Sequence, residues 1–308
     1  MIKIERILFP TDLSTESDEA LRYALALASL YDAKVTLLYC RQPGSIIDWA
    51  TSSGAARRFQ QLLFTHMGAN ELKALEWEAA VAEADNVSET IVAEASKRNA
   101  DLIVMRSRRR PHTAALLGST AETVCQTAPC PVLVTHPRER EWVGITTTEI
   151  DLRCLLIAYD NSRDADLALS YGTLLAEQYQ AEVHVLHVIS DEAAVDPELA
   201  WSDASRENSY EIAARRLQES IPREACLWCN VVTAVRYGQP WHEIIEYASE
   251  HEIDLICMGA SGRHLSWEKM FGSTADRVLR QAPCPVLVCH PVGSARLAAQ
   301  AASQSRKL

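Results

Sequence analysis

A chain of 308 residues, 48% of them hydrophobic, is long enough for two domains that each bury a core. The formal charge of -11 is unevenly placed: residues 1–140 hold 16 Lys and Arg against 17 Asp and Glu, the remainder 14 against 24, which argues against a general nucleic-acid or anionic-membrane binder. No apolar run approaches the ~20 residues of a membrane span, and MIKIERILFP has no signal-peptide pattern, so a soluble cytoplasmic protein is expected.

In chain order, Ile4 to Phe9 reads as a strand, Leu21, Ala24, Leu25 and Ala28 mark a helix stripe, and Val35 to Tyr39 is a second strand. A looser segment, Pro43 to Ala56, follows. Then come a helix over 57–75, a strand over 76–81, a helix over 88–98, the strand Asp101 to Met105 (DLIVM), a further helix and the PVLV strand. The order then repeats. Arg6 to Asp12 parallels Arg153 to Asp160 with one extra residue in the second, and DLIVM parallels DLICM at 254–258. Gly118-Ser119-Thr120 parallels Gly272-Ser273-Thr274, and APCPVLVTH at 128–136 parallels APCPVLVCH at 282–290. The expected organisation is a first domain at 1–137, a linker at 138–151, a second domain at 152–291 and a tail at 292–308. Short continuous apolar strands alternating with helices predict an α/β fold: two tandem doubly wound domains, each a five-stranded parallel sheet with helices on both faces. In such sheets ligands sit past the carboxyl ends of the strands, at the switch point of the strand order.

The most informative stretch is residues 258–274, MGASGRHLSWEKMFGST. It follows the DLIC strand and precedes a helix marked by Ala275, Val278, Leu279 and Ala282, with Ser273 read as the cap. Glycines let the backbone N-H groups approach an anion, and the following helix start adds unpaired donors and a favourable dipole. The spacing G-x2-G-x9-G-[ST], from Gly259 and Gly262 to Gly272-Ser273-Thr274, resembles the ATP-binding signature of the universal stress protein family. Leu155 to Ser162 (LLIAYDNS) is similar to that family's first strand with its aspartate, and Cys284 to Cys289 (CPVLVC) to its last strand.

That resemblance implies ATP or ADP, with or without Mg2+, in the second domain. Asp160 would receive the adenine side, Val188 would line the base or ribose pocket, and Gly259, Gly262, Gly272, Ser273 and Thr274 would hold the phosphates. Ala158, Tyr159, Met258 and Arg263 complete the implied nucleotide set. The resemblance further implies a stress-response regulator that changes shape or protein partner with nucleotide, and hydrolysis that is at most slow. Pairing of the two halves through their last strands, as an internal pseudo-dimer, is implied too; a homodimer stays open beside it.

The first repeat departs from the signature. Aligned on DLIVM and DLICM, the two loop glycines become Arg106 and Arg109, and the interval to Gly118 is one residue shorter. Arg106, Arg108, Arg109 and Arg110, with His112, form the dense basic cluster of the chain. With Ser119 and Thr120 they could grip a phosphorylated ligand or a lipid headgroup through guanidinium forks. A solvated loop left after loss of the glycines is the other reading. No aromatic residues interleave with these arginines, which speaks against single-stranded nucleic acid.

Nine cysteines without a secretory signal are read as reduced, and the lone Cys226-x-x-Cys229 precedes a strand-like run and lacks a second pair for zinc. His184 and His187 are three apart on a strand and face opposite sides, so they do not chelate together. No catalytic constellation and no metal site is assigned. Two rivals to the nucleotide-regulator reading remain: a carrier of lipid-like or phosphorylated small ligands, using the segment at 43–56 or 191–205, and an enzyme, a slow ATPase or nucleotidyl transferase.

Overall fold

The computed structural model describes residues 3–41, 43–44, 52–107, 118–136, 140–144, 149–190, 203–262 and 271–290. Packing divides the chain into two units that change over between Asp151 and Leu152. In the first, the elements are β1 (Arg6–Thr11), α1 (Thr15–Tyr31), β2 (Lys34–Arg41), α2 (Ser52–His66), α3 (Ala69–Ala74), β3 (Trp77–Glu83), α4 (Val87–Lys97), β4 (Leu102–Arg106), α5 (Ser119–Thr127) and β5 (Val132–Thr135). Their strands run in the order β3-β2-β1-β4-β5, all parallel. The second unit has β6 (Cys154–Ala158), α6 (Arg163–Tyr179), β7 (Glu182–Ser190), α7 (Asp203–Ser220), α8 (Ala225–Trp228), β8 (Val231–Gly238), α9 (Pro240–Glu250), β9 (Leu255–Gly259), α10 (Ser273–Gln281) and β10 (Val286–Cys289). It repeats the order as β8-β7-β6-β9-β10, again all parallel. The predicted fold class is therefore the observed one, with a switch point between β1 and β4 and another between β6 and β9.

Covered strands explain the apolar runs. Leu155, Leu156 and Ile157 of β6, and Leu255, Ile256 and Cys257 of β9, are all fully buried, as strands packed by helices on both faces must be. The first helix of each unit starts and stops in the same way. Ser14 and Ser162 cap α1 and α6 by accepting from Ser17 N and Ala165 N, and Asp32 and Gln180 close them in the left-handed region at φ 50° and 52°.

The repeat is more regular than the sequence alignment suggests. Asp101 Oδ2 accepts from the backbone N-H groups of Glu5 and Arg6, and Asp254 Oδ2 accepts from those of Arg153 and Cys154. Glu5 thus matches Arg153, and Asp12 matches Asp160 with no insertion; the extra residue was an artefact of matching Arg6 to Arg153. Each aspartate ties the start of the first strand to the start of the fourth. Asp254→Ala leaves two backbone donors at a part-buried edge without this acceptor, and we expect a loss of about 1–3 kcal/mol. Urea unfolding measures it; unchanged stability would show the clamp to be incidental.

One local prediction needs correction. The single helix expected over 57–75 is broken, because Gly68 adopts an extended conformation (ψ 156°) and caps α3, its N-H donating to Glu71 Oε2 at 2.9 Å. Gly inside a helix costs about 1 kcal/mol, so a competing cap wins there. The described part of the segment expected as a linker packs on α1: Trp142 meets Tyr23 edge-on at 4.9 Å, and Arg22 donates to the carbonyls of Val143 and Gly144 and pairs with Glu141. None of the nine cysteines forms a disulfide, and burial pushes the thiols of Cys130 and Cys257 up to about 12, which leaves them unreactive. Among the described residues no helix is long and apolar enough to cross a membrane.

Candidate functional site

The site is built at the carboxyl edge of the second sheet. β6 ends at Ala158, and Tyr159 continues its ladder by donating its N-H to Leu186 O at 2.9 Å. His187 supports this corner from β7: its Nδ1 lies 2.7 Å from the Tyr159 carbonyl, which only accepts, so Nδ1 carries the proton. The Tyr159 hydroxyl donates to Asp166 Oδ1 at 2.6 Å, and burial, reinforced by that bond, pushes the phenol up to about 12. The chain then turns through Asn161 at φ 62° into α6.

Asp160 sits in that turn with its two oxygens doing different things. Oδ1 accepts from Ser162 N at 3.0 Å, the local bond of an Asx turn. Oδ2 faces the glycine loop: a Cβ on Gly262 would lie 2.9 Å from it. Gly262 in turn is next to Gly272, whose added Cβ would be 3.9 Å from Gly262 N, and Gly272 N donates to Ala260 O at 2.9 Å. Asp160, Gly262 and Gly272 are therefore brought together, although they are more than a hundred residues apart at the extremes.

Gly272, not Ser273, is the cap of α10, and it offers no side chain to the first turn. The cap assignment from sequence followed side-chain preference, whereas the backbone takes its extended residue one position earlier. Ser273 is exposed and Thr274 half-buried in that open first turn. Among the described residues no side chain caps this turn, so its leading N-H groups could meet an outside anion.

Gly259 has a packing role that the sequence reading did not name. A Cβ there would meet Asp164 Cβ at 2.6 Å, Asp164 C at 3.0 Å and Ala165 N at 3.1 Å, so the missing side chain admits the first turn of α6 against β9. Asp164, buried in that turn, accepts from Ser261 N at 3.1 Å and Ser261 Oγ at 2.7 Å and fixes the start of the loop. Sequence reading missed Asp164 and Ser261; the signal was present as an acidic residue in the first turn of the helix that follows DNS. Met258 and Ala158 are register partners inside the sheet, and Val188 stands half-buried on the part of β7 that runs past β6. Arg263 lies outside the described residues.

The first unit keeps the frame and changes the contents. Asp12 Oδ1 takes three bonds, from Ser14 N at 3.0 Å and from Ser14 Oγ and Ser17 Oγ at 2.6 Å each. Arg106, at the place of Gly259, has a side chain only 6% exposed and pairs with Glu19 of α1. Its guanidinium is thereby committed to a carboxylate of its own unit. Ser119 and Thr120 begin α5 behind a Gly118 cap, the counterpart of α10. Arg108 and Arg109, like Arg110 and His112, lie outside the described residues.

Asp18 in α1 is a buried cost at this edge. Its Oδ1 has no hydrogen-bond partner among the described residues, and burial first, then the charge of Asp12, raises its pKa, with Arg58 opposing. A carboxylate raised on folding subtracts stability above its folded pKa, and the subtraction fades as pH falls through that value toward the unfolded one. Asp18→Asn is therefore expected to be more stable than the parent at pH 7, with an advantage that shrinks on acidification. Melting curves against pH measure this, and a gain that grew on acidification would contradict it.

Two doubly wound parallel α/β units, one of them with a glycine loop meeting an aspartate at the switch point, define the class. The sequence model of the universal stress protein family matches residues 3–136 and again residues 152–290, and the chain belongs to that family. A universal stress protein of Mycolicibacterium smegmatis is 27% identical over 92% of this chain and 97% of its own length. YxiE, a universal stress protein of Bacillus subtilis, is 28% identical over 44% of this chain and 96% of its own. Among solved structures, a putative universal stress protein of Pseudomonas aeruginosa UCBPP-PA14 superposes with a TM-score of 0.70 at 22% identity, covering 97% of this chain and 98% of that one, which is a likeness of fold.

Proposed function

We propose that the second domain binds ATP or ADP, and that the protein is a nucleotide-dependent regulator in a stress response. The observation that carries this reading is the meeting of three parts at one edge: the Asp160 carboxylate against Gly262, Gly262 against Gly272, and the open first turn of α10 behind Gly272. Phosphates would lie over Gly262 and the α10 N-terminus, with Ser273 and Thr274 hydroxyls as further donors. Asp160 would take the adenine side and Val188 the base or ribose. Gly259 contributes by letting α6 hold the loop through Asp164 and Ser261.

In the first domain the counterpart edge is filled from within, by Arg106 on Glu19 and by the serines on Asp12. It serves as a scaffold in this reading, and one nucleotide binds per chain. Signalling would pass to a protein partner, in the cytoplasm, through the shape of the loop around the nucleotide. Thr274→Val tests the phosphate end. Loss of one charge-assisted hydrogen bond corresponds to about tenfold weaker ATP binding with little change in melting. Unchanged affinity by calorimetry would remove the start of α10 from the site.

A further inference from the structure

At the amino edge of the second sheet, away from the glycine loop, a second cluster of chemistry stands that nucleotide binding does not use. Cys154 of β6 and Glu182 of β7 are register partners in parallel strands, so they share a face, and His184 two residues on shares it too. One ligand atom each from Cys154, Glu182 and His184 lies within 4.8 Å of the others. His184 Nε2 is 2.8 Å from Glu182 Oε1, and its Nδ1 is 2.7 Å from the Tyr247 hydroxyl. Asn230 Nδ2 donates to the other Glu182 oxygen and fixes the carboxylate. One turn after Tyr247, at the end of α9, His251 brings its ring to 5.0 Å from the His184 ring, centre to centre.

The duplication supplies an internal comparison. By strand register and helix ends, the four positions of Cys154, Glu182, His184 and His251 are held in the first unit by Arg6, Lys34, Thr36 and Arg98. There they form ordinary polar pairs: Lys34 Nζ with Glu78 at 2.7 Å, Thr36 Oγ1 with Glu78 at 3.0 Å, Arg98 with Glu78 and Glu94, and Arg6 with Asp101. The fold therefore needs only polar pairing at this edge. In the second unit all four positions carry metal-ligating types instead.

We propose that Cys154, Glu182 and His184 form a zinc site, with His251 as its fourth ligand. A thiolate, two imidazoles and a carboxylate suit a tetrahedral borderline ion. Zn–N and Zn–O bonds of about 2.0–2.1 Å and a Zn–S bond of about 2.3 Å put ligand atoms about 3.3–3.6 Å apart, so small side-chain movements would bring Cys154, Glu182 and His184 to a filled site, and His251, outside that 4.8 Å cluster, would swing its ring in to complete it. The neutral His184 ring without an ion donates from Nε2 to Glu182 and accepts from Tyr247. On binding, the ion replaces the Nε2 proton, Nδ1 carries the ring proton and donates it to the Tyr247 oxygen, and the Cys154 thiol releases its proton to solvent. Tyr247 is thus the outer partner that turns Nε2 toward the metal. An ion here ties the starts of β6 and β7 to the end of α9 and stabilises the second domain by mass action.

The test is titration of the reduced, chelator-stripped full chain with Co2+, followed by displacement with Zn2+. The expected result is one ion per chain, a thiolate-to-cobalt charge-transfer band and the intense visible bands of tetrahedral cobalt. Cys154→Ser, a near-isosteric change, should abolish the thiolate band while melting normally in chelator. His251→Ala, an exposed change, should weaken Co2+ binding by more than tenfold, and Zn2+ should raise the melting temperature of the parent but not of Cys154→Ser. Cys226→Ser should leave the band intact. Absence of a thiolate band, or a band that survives Cys154→Ser and disappears in Cys226→Ser, overturns the proposal; the latter would place the ion at the C-x-x-C instead.

Discussion

Gly259→Ala is expected to destabilise the second domain by about 2–3 kcal/mol, a large effect for one added methyl group. The new Cβ would sit 2.6 Å from Asp164 Cβ and within 3.1 Å of two backbone atoms of α6, none of which belongs to a flexible side-chain end. The first turn of α6 must move away from β9. That movement pulls Asp164 from the N-H and hydroxyl of Ser261, so the loop loses its anchor as well as its packing. Denaturant unfolding reads the loss directly. A variant as stable as the parent would show that α6 has room to spare. It follows that substitutions at Gly259 do not isolate nucleotide binding from folding.

Gly262→Asp is the cleaner test of binding and is expected to weaken ATP affinity by more than 100-fold. Among the described residues, an added Cβ meets the Asp160 carboxylate alone, at 2.9 Å from Oδ2, and that carboxylate belongs to a half-buried side chain able to turn aside. The domain should remain folded. A second carboxylate would then stand where phosphate is proposed to lie, and like-charge juxtaposition of this kind costs several kcal/mol. Gly262→Ala should lie between parent and Gly262→Asp. Undiminished ATP affinity in Gly262→Asp, with normal melting, would move the phosphates elsewhere.

How much of this could be read from the residues varies with the physics involved. The tandem parallel sheets were legible because buried strands are continuous apolar runs and the runs recur in the same order. The meeting of Asp160 with Gly262 and Gly272 was legible because a parallel α/β sheet gathers its strand ends and loops at one edge. The packing role of Gly259 was not legible, since the atom it makes room for, Asp164 Cβ, is 95 residues away in sequence. The cap of α10 was misplaced by one residue because a serine hydroxyl is the usual cap, while Gly272 takes the extended backbone without one. The break at Gly68 lost to an otherwise helical pattern on either side. The Cys154, Glu182, His184 cluster was invisible to a reading that paired histidines along one strand. Its members meet only through the parallel register of β6 with β7 and the landing of α9 on that face.

The central claim is one nucleotide per chain, held in the second domain. Denaturing freshly purified protein, identifying any released nucleotide by mass and then titrating the emptied chain with ATP in a calorimeter tests it most directly. The account predicts ATP or ADP in the released fraction and close to one site per chain, lost in Gly262→Asp. No released nucleotide and no binding heat, or a site that persists in Gly262→Asp, would contradict it.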